Sequence, residues 1–294
     1  MSDNLVSQTV RVISYPGIIA GSFVLFAVFE RAGLSLTMSS YLPVVVAAGL
    51  ITLHEIMLPH RADWKPDRTE VANDTTFLIA VQILVPYLLS LAAALWLAGT
   101  APTDGWAITR IWPSELPVPI QALLMLLGAD FLRYWMHRAF HRFLPLWQLH
   151  AVHHSPHRLY WLNVGRFHPL EKTIQFLADA LPFILLGVTE PVLAVYFVFF
   201  AINGFFQHSN CSVRLGPLNY VVSGPELHRW HHSQSTQESD TNFGNNLIIW
   251  DLIFGTRFLP AGREVGDLGL QNRGYPLGFL AQLKSPFIIS PGAD

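Results

Sequence analysis

The chain has 294 residues, of which 51% are hydrophobic and only 13% charged, against about 25% charged in an average soluble domain. With a mean hydropathy of +0.36 and a net charge of −2, it reads as a membrane protein, and nothing in its charge argues for nucleic acid. The single cysteine, Cys211, excludes an internal disulfide and any thiolate-rich metal site.

The start of the chain, Met1 to Arg11, is polar and lacks the charged beginning and small-residue cleavage site of a secretory signal. The first apolar segment is therefore expected to stay in the mature protein. Long apolar stretches then follow at about Val12–Phe29, Tyr41–Leu58, Thr75–Leu97 and Pro119–Met136. Each approaches the roughly 20 residues that a helix needs to cross a hydrocarbon core. Two shorter ones, Thr173–Leu186 and Pro191–Phe206, are separated by Gly187-Val-Thr-Glu190 and read as a short hairpin. The expected architecture is an all-α, multi-pass transmembrane bundle forming one membrane-embedded domain over 1–294. Four spans fill 12–136, a histidine-rich region including the 173–206 hairpin fills 137–260, and 261–294 is a tail.

Basic residues in short loops set orientation. Arg61, Lys65 and Arg68 follow the second span, and Arg138, Arg142, Arg158 and Arg166 follow the fourth, whereas the opposite loops hold only Arg31 and Arg110. If the four spans alternate, both basic regions share one side, which is expected to be cytoplasmic, with the N-terminus there too. The hairpin begins after His168 and ends before His208, so every histidine cluster falls on that same face.

Six of the thirteen histidines lie in the twenty-one residues from His137 to His157. At about 100° per residue, His137 and His141 project from one helix face a turn apart. His150, His153 and His154 do likewise, and His228, His231 and His232 repeat that arrangement about 78 residues later. Two imidazoles spaced by three or four can grip one ion, and the second member of an HH pair points about 100° away toward another. Eight imidazoles exceed what one tetrahedral zinc site uses, so the count favours two metals. A single HxxxH or HxxHH can arise on an ordinary amphipathic helix or as a solvated basic patch, but three such groups on one face argue jointly for a site.

Other histidines are weighed separately. His208, ending the hairpin, is read as a ligand. His168, opening it, is a candidate either as ligand or as hydrogen-bonding support for one. His157 suits a loop near lipid headgroups as well as a metal, and His54 and His60 read as structural or interfacial. Asp130 and Arg133 sit inside an apolar run, where ionisable groups are costly and usually functional or paired. They share a helical stripe with His137 and His141, so Asp130 is expected to orient His137 or to pair with Arg133.

Imidazole alone does not choose among zinc, iron, copper and nickel. A hydrolytic zinc site needs about three ligands and a carboxylate base, and no HExxH is present. A haem needs one or two histidines set within the spans. A non-catalytic metal carrier needs a polar path along the spans, which offer little beyond Asp130 and Arg133. Two iron ions with neutral nitrogen ligands explain the number and leave room for dioxygen. A zinc-dependent membrane hydrolase using the same histidines is the alternative.

The order HxxxH, HxxHH and later HxxHH resembles the fatty acid hydroxylase/sterol desaturase superfamily of integral-membrane di-iron enzymes. So do Arg166-Phe-His-Pro-Leu-Glu171, Gln207-His-Ser-Asn210 and Asn242-Phe-Gly-Asn245 with Trp250-Asp-Leu-Ile-Phe-Gly-Thr256. The resemblance covers roughly Leu50 to Pro260. It implies a helical membrane bundle with a cytosolic histidine-rich di-metal subdomain, in the inner membrane of a bacterial cell or the endoplasmic reticulum of a eukaryotic one. It also implies an oxidoreductase that uses two iron ions and dioxygen to hydroxylate or desaturate a lipid: fatty acyl, sterol-like, or another isoprenoid or ether lipid. Electrons would come from a separate ferredoxin- or cytochrome-type donor with its reductase. His137, His141, His150, His153, His154, His228, His231 and His232 match the ligand boxes, and His208 matches the histidine after the hairpin. Some members carry another histidine where this chain has Gly204, which directs attention to His168.

Overall fold

In the computed structural model, residues 5–100 and 111–289 are described; Arg110, one of the residues used above for orientation, lies outside them. The described residues are helical, with three isolated β-bridges and no strand. Helices α1 (Leu5–Arg31) and α2 (Leu36–Met57) form an antiparallel pair joined by a short turn at Gly33, whose φ of +84° glycine adopts without strain. A continuous helical run follows, from α3 (Arg68–Phe77) through a π-helical stretch (Leu78–Leu84) to α4 (Val85–Thr100). Asp67 opens it with a capping box, accepting from the Thr69 and Glu70 amides while the Glu70 carboxylate accepts from the Asp67 amide. Pro86 follows the π turn, and its ring cannot contribute an amide to the ladder there.

Helix α5 (Val118–Arg142) ends at Phe143, whose extended backbone separates it from α6 (Leu144–His154), with Pro145 tolerated in the first turn of the latter. The apolar stretch after His168 folds as α7 (Pro169–Asp179), α8 (Leu181–Leu185) and α9 (Glu190–His208). Short helices α10 (Pro225–His231), α11 (Thr236–Ser239) and α12 (Ile249–Phe254) complete the histidine-rich cap. The tail adds α13 (Phe279–Gln282) and α14 (Ser285–Ile288), which lie on α3 and α6.

Four helical segments are long and apolar enough to cross a membrane: Leu5–Arg31, Leu36–Met57, Arg68–Leu97 and Glu190–His208. Three coincide with expected spans, and the fourth is α9, the second arm of the expected hairpin. Helix α5, which covers the expected span Pro119–Met136, buries Gln121, Asp130 and Arg133 on its inner face against protein partners, while Leu123, Leu124 and Leu132 on its outer face are exposed. The apolar core lies between α1, α2 and α9, where Tyr15, Phe26, Ile51, Val198, Ile202 and Phe206 pack together, and between α5, α8 and α9. Outward-facing Val45, Leu53, Ile79 and Leu88 are exposed, as lipid contact requires.

The spans converge on the cap at one end. The His60 amide donates to the Asn210 carbonyl at 2.7 Å, the Ser212 amide to Leu58 at 3.0 Å and the Arg214 amide to Arg11 at 2.8 Å. These bonds tie the exit of α2, the exit of α9 and the start of α1 to one level, where α5 also ends in His137 and His141. Asp130 fixes the cap from below. Its carboxylate accepts from the Asn246 amide (2.9 Å), the Asn246 side chain (2.8 Å) and the Leu247 amide (2.5 Å). An Asp130→Ala protein should therefore lose on the order of 3 kcal/mol or more, because several buried donors lose their acceptor. Thermal unfolding in detergent checks this, and an unchanged midpoint would contradict it.

Candidate metal centre

The structure brings nine histidines into two groups. His137 and His141 from α5, His150 and His154 from α6 and His231 from α10 form the first; His153, His208, His228 and His232 form the second. Within each group the ligand nitrogens all lie within 4.8 Å of one another. The spacing accounts for the division: i, i+4 residues stay on one face, while the adjacent members of His153-His154 and His231-His232 diverge to different groups.

What stands outside each ring decides where its proton sits. The Nδ1 atoms of His137, His153 and His231 lie 2.9, 3.2 and 2.8 Å from the carbonyl oxygens of Phe243, Arg166 and Thr241. Those of His141 and His150 lie 2.9 and 2.7 Å from carboxylate oxygens of Asp240 and Glu171. His208 Nδ1 faces the Asn163 amide oxygen at 2.9 Å, whose own amide nitrogen is committed to the Arg158 carbonyl. Carbonyl and carboxylate oxygens accept, so each of these Nδ1 atoms donates and each Nε2 carries a bare lone pair.

The Nε2 atoms converge within each group. His137 Nε2 lies 3.0 Å from His150 Nε2, and neither has a proton to place between them. His154 Nε2 lies 3.2 Å from His150 Nε2 and 3.1 Å from His231 Nε2; in the second group His228 Nε2 is 3.1 Å from both His208 and His232. His141 Nε2 is buried without a partner. Opposed lone pairs in a buried site repel unless a cation lies between them. Ligand bonds of about 2.0–2.1 Å at tetrahedral to octahedral angles put nitrogens roughly 2.9–3.4 Å apart, so the donor set fits a metal in each group. Burial, followed by the neighbouring imidazoles, holds His150, His153, His154, His228, His231 and His232 well below the ordinary histidine range, so they are neutral ligands at pH 7.

The loop from Thr241 to Leu247 is the device that aims several of these rings. Asn242 adopts φ +53° and is anchored by bonds to Leu227, Phe258 and the Phe258 amide. Asp251 accepts from the Phe243 and Gly244 amides at 2.8 and 2.7 Å. A Cβ on Gly244 would sit 2.3 Å from the Leu247 carbonyl oxygen, so only glycine fits. Arg166 is held by Asp74, which also receives Tyr160, and that ion pair fixes the carbonyl facing His153. Gly165 allows this loop to touch the helical run, since a Cβ there would come within 2.8 Å of Leu78 Cα.

Several expectations are corrected. His168 lies outside both groups: it caps α7, with Nδ1 accepting from the Leu170 amide at 3.2 Å and Nε2 donating to the Leu283 carbonyl at 3.2 Å. Both ring nitrogens are used, and the tail covers it. Asp130 does not orient His137, which bonds to Phe243 instead, and it makes no ion pair with Arg133. Arg133 bridges Asp179 (3.1 Å) and Asn245 (3.1 Å). His54, His60 and His157 belong to neither group. Residues that spacing alone missed are Glu171, Asp240 and Asn163. Glu171 is fully buried and receives Gln175 Nε2 at 2.9 Å as well as His150. Burial pushes its carboxyl up to about 8 while Arg133 opposes the shift, and a cation across His150 acts in the same direction as Arg133. Its only signal in the sequence is its place in Arg166-Phe-His-Pro-Leu-Glu171.

Residues 122–256 match the family model for fatty acid hydroxylase. The ornithine lipid hydroxylase OlsE of Rhizobium tropici is 35% identical over 240 residues, covering 81% of this chain and 72% of that protein. The alkylglycerol monooxygenase of Xenopus tropicalis is 32% identical over 147 residues, where this chain spans only 31% of the relative's length. A very-long-chain aldehyde decarbonylase of Oryza sativa subsp. indica is 29% identical over 160 residues. No solved structure matches. The matched segment carries all nine clustered histidines, and the chain belongs to the fatty acid hydroxylase family.

Proposed function

We propose that the protein is a membrane-embedded di-iron oxygenase that uses dioxygen to hydroxylate or desaturate a lipid. The observation that carries this reading is the opposition of His137 Nε2 and His150 Nε2 at 3.0 Å with both protons held elsewhere. Bound iron supplies the dioxygen activation that attack on an unactivated C–H bond requires, using electrons from a separate ferredoxin- or cytochrome-type donor and its reductase. The protein's own part is to aim nine imidazoles at two points, hold the Nδ1 protons of six of them outward and exclude water. Phe167 stacks on His153 at 4.2 Å, Phe140 lies 5.5 Å from His150, and Trp147 lies 5.2 Å from His141. Apolar walls of this kind strengthen electrostatics inside the site and protect a strong oxidant from water.

The end of the bundle bearing the histidines also bears Arg61, Lys65, Arg138, Arg142 and Arg158, which favours a cytoplasmic position for it. The names of the relatives support a lipid substrate, and that of OlsE places ornithine lipids first among those to be examined.

Purified protein is expected to hold two irons per chain and to turn over only with dioxygen. His150→Ala should abolish turnover and lose iron. Oxygen-independent turnover by a zinc-loaded protein would overturn the proposal in favour of a membrane hydrolase. His168→Ala should keep both metals and cost about 1 kcal/mol from its lost hydrogen bonds; metal analysis showing one ion missing would restore His168 as a ligand. Cys211 is buried, so introduced cysteines can report topology. In intact cells an impermeant thiol reagent should label Ala32→Cys and spare Asp63→Cys, and the reverse pattern would invert the orientation.

A further inference from the structure

The two histidine groups differ in what stands behind their imidazoles. In the five-histidine group, His150 donates to Glu171 at 2.7 Å and His141 to Asp240 at 2.9 Å. Glu171 is fully buried, whereas the Asp240 side chain is 56% exposed and therefore more strongly screened. In the four-histidine group the supports are neutral: the Arg166 carbonyl for His153 and the Asn163 amide oxygen for His208. His228 Nδ1 and His232 Nδ1 have no hydrogen-bond partner, and among the described residues no carboxylate reaches any ring of this group.

An imidazole that donates to a carboxylate is a more basic ligand than one that donates to an amide. A buried anion one ring away also attracts a cation directly, and does so most where water is absent. Ligand number works in the same direction, five rings against four. We propose that the two centres are unequal in metal affinity, and that Glu171 is the positioning residue that makes the five-histidine centre the tighter. This rests on the reading that both groups hold a metal, but it does not depend on which metal or on turnover.

The test uses the full chain in detergent, loaded with its native metal, and exposed to graded EDTA before desalting and elemental analysis. The wild-type protein should release its metal in two separated steps of one ion each. His208→Ala should lack the weaker step and keep the tighter one. Glu171→Gln keeps the size and an acceptor for His150 but removes the charge. It should move the tighter step to roughly 10- to 100-fold lower chelator and leave the weaker step in place. Asp240→Asn, at a surface position with little risk to folding, should move the same step by less. Both ions leaving together from wild type would overturn the inequality alone, and a Glu171→Gln protein that releases the tighter ion as wild type does would overturn the role of Glu171. Loss of the tighter step in His208→Ala would reverse the assignment, and a chain that takes up no metal would overturn the inequality and the proposed function together.

Discussion

A neutral imidazole has one proton and one lone pair, and the rest of the cap depends on holding the protons of six of the nine clustered histidines outside and their lone pairs inside. Six oxygens do this from four separate segments: Asn163 and Arg166, Glu171, Asp240 and Thr241, and Phe243. None of those segments holds itself in place. Asp74 clamps Arg166, Asp251 gathers the Phe243 and Gly244 amides, and Asp130 ties Asn246 and Leu247 to α5. The buried aspartates are thus one step removed from the histidine groups: Asp74 and Asp251 hold residues whose carbonyls set a tautomer, and Asp130 holds the far end of the Thr241–Leu247 loop. Such supports must be rigid, since a ring that rotates by a few tens of degrees points its lone pair away from the site.

That polar scaffold conflicts with the membrane around it. Buried ionic pairs cost more in desolvation than they return unless every partner is satisfied. Arg133 meets this by bridging Asp179 and Asn245, and Lys172 by bonding Gln175 and lying over the Phe167 ring. The price appears in α5, whose inner face buries Asp130 and Arg133 where α2 and α9 bury Ile51 and Ile202. The outer face of the same helix stays apolar, with Leu123, Leu124 and Leu132 exposed beside the four apolar segments α1, α2, the Arg68–Leu97 run and α9. Helix α5 serves as the post on which the cap is fastened.

Spacing made much of this legible. HxxxH and HxxHH are local patterns, and a helix converts them into shared faces without help from the rest of the fold. Hydropathy likewise located α1, α2 and the Arg68–Leu97 run. The failures involve partners distant in sequence. Glu171 lies 21 residues from His150 and Asp240 lies 99 from His141, and no periodicity links either pair. Asp130 shares a stripe with His137, which suggested a direct contact, but its true partners are 116 and 117 residues away. His168 shows the opposite error: a histidine beside a ligand-bearing region was used as a helix cap, a role that its following Pro169 and the distant Leu283 carbonyl define only in three dimensions.

The divided HH pairs bear on how the two groups stay in register. In soluble di-iron bundles, glutamates from facing helices supply much of the ligation. Here both groups consist of histidine alone among the described residues. The link between them is backbone: His153 and His154 have ring centroids 5.6 Å apart, and His231 and His232 have theirs 5.5 Å apart, with one member of each pair in each group. Helices α6 and α10 therefore act as two short struts between the centres. A side-chain rotation can disturb one group, but the separation changes only if a helix moves. Helix α6 is packed against α5, α7 and α14, and α10 against α9, so such a movement would have to disrupt the core that supports the cap. The spacing of the centres is in this way set by main-chain geometry and protected by packing, which leaves the outer oxygens free to differ between one group and the other.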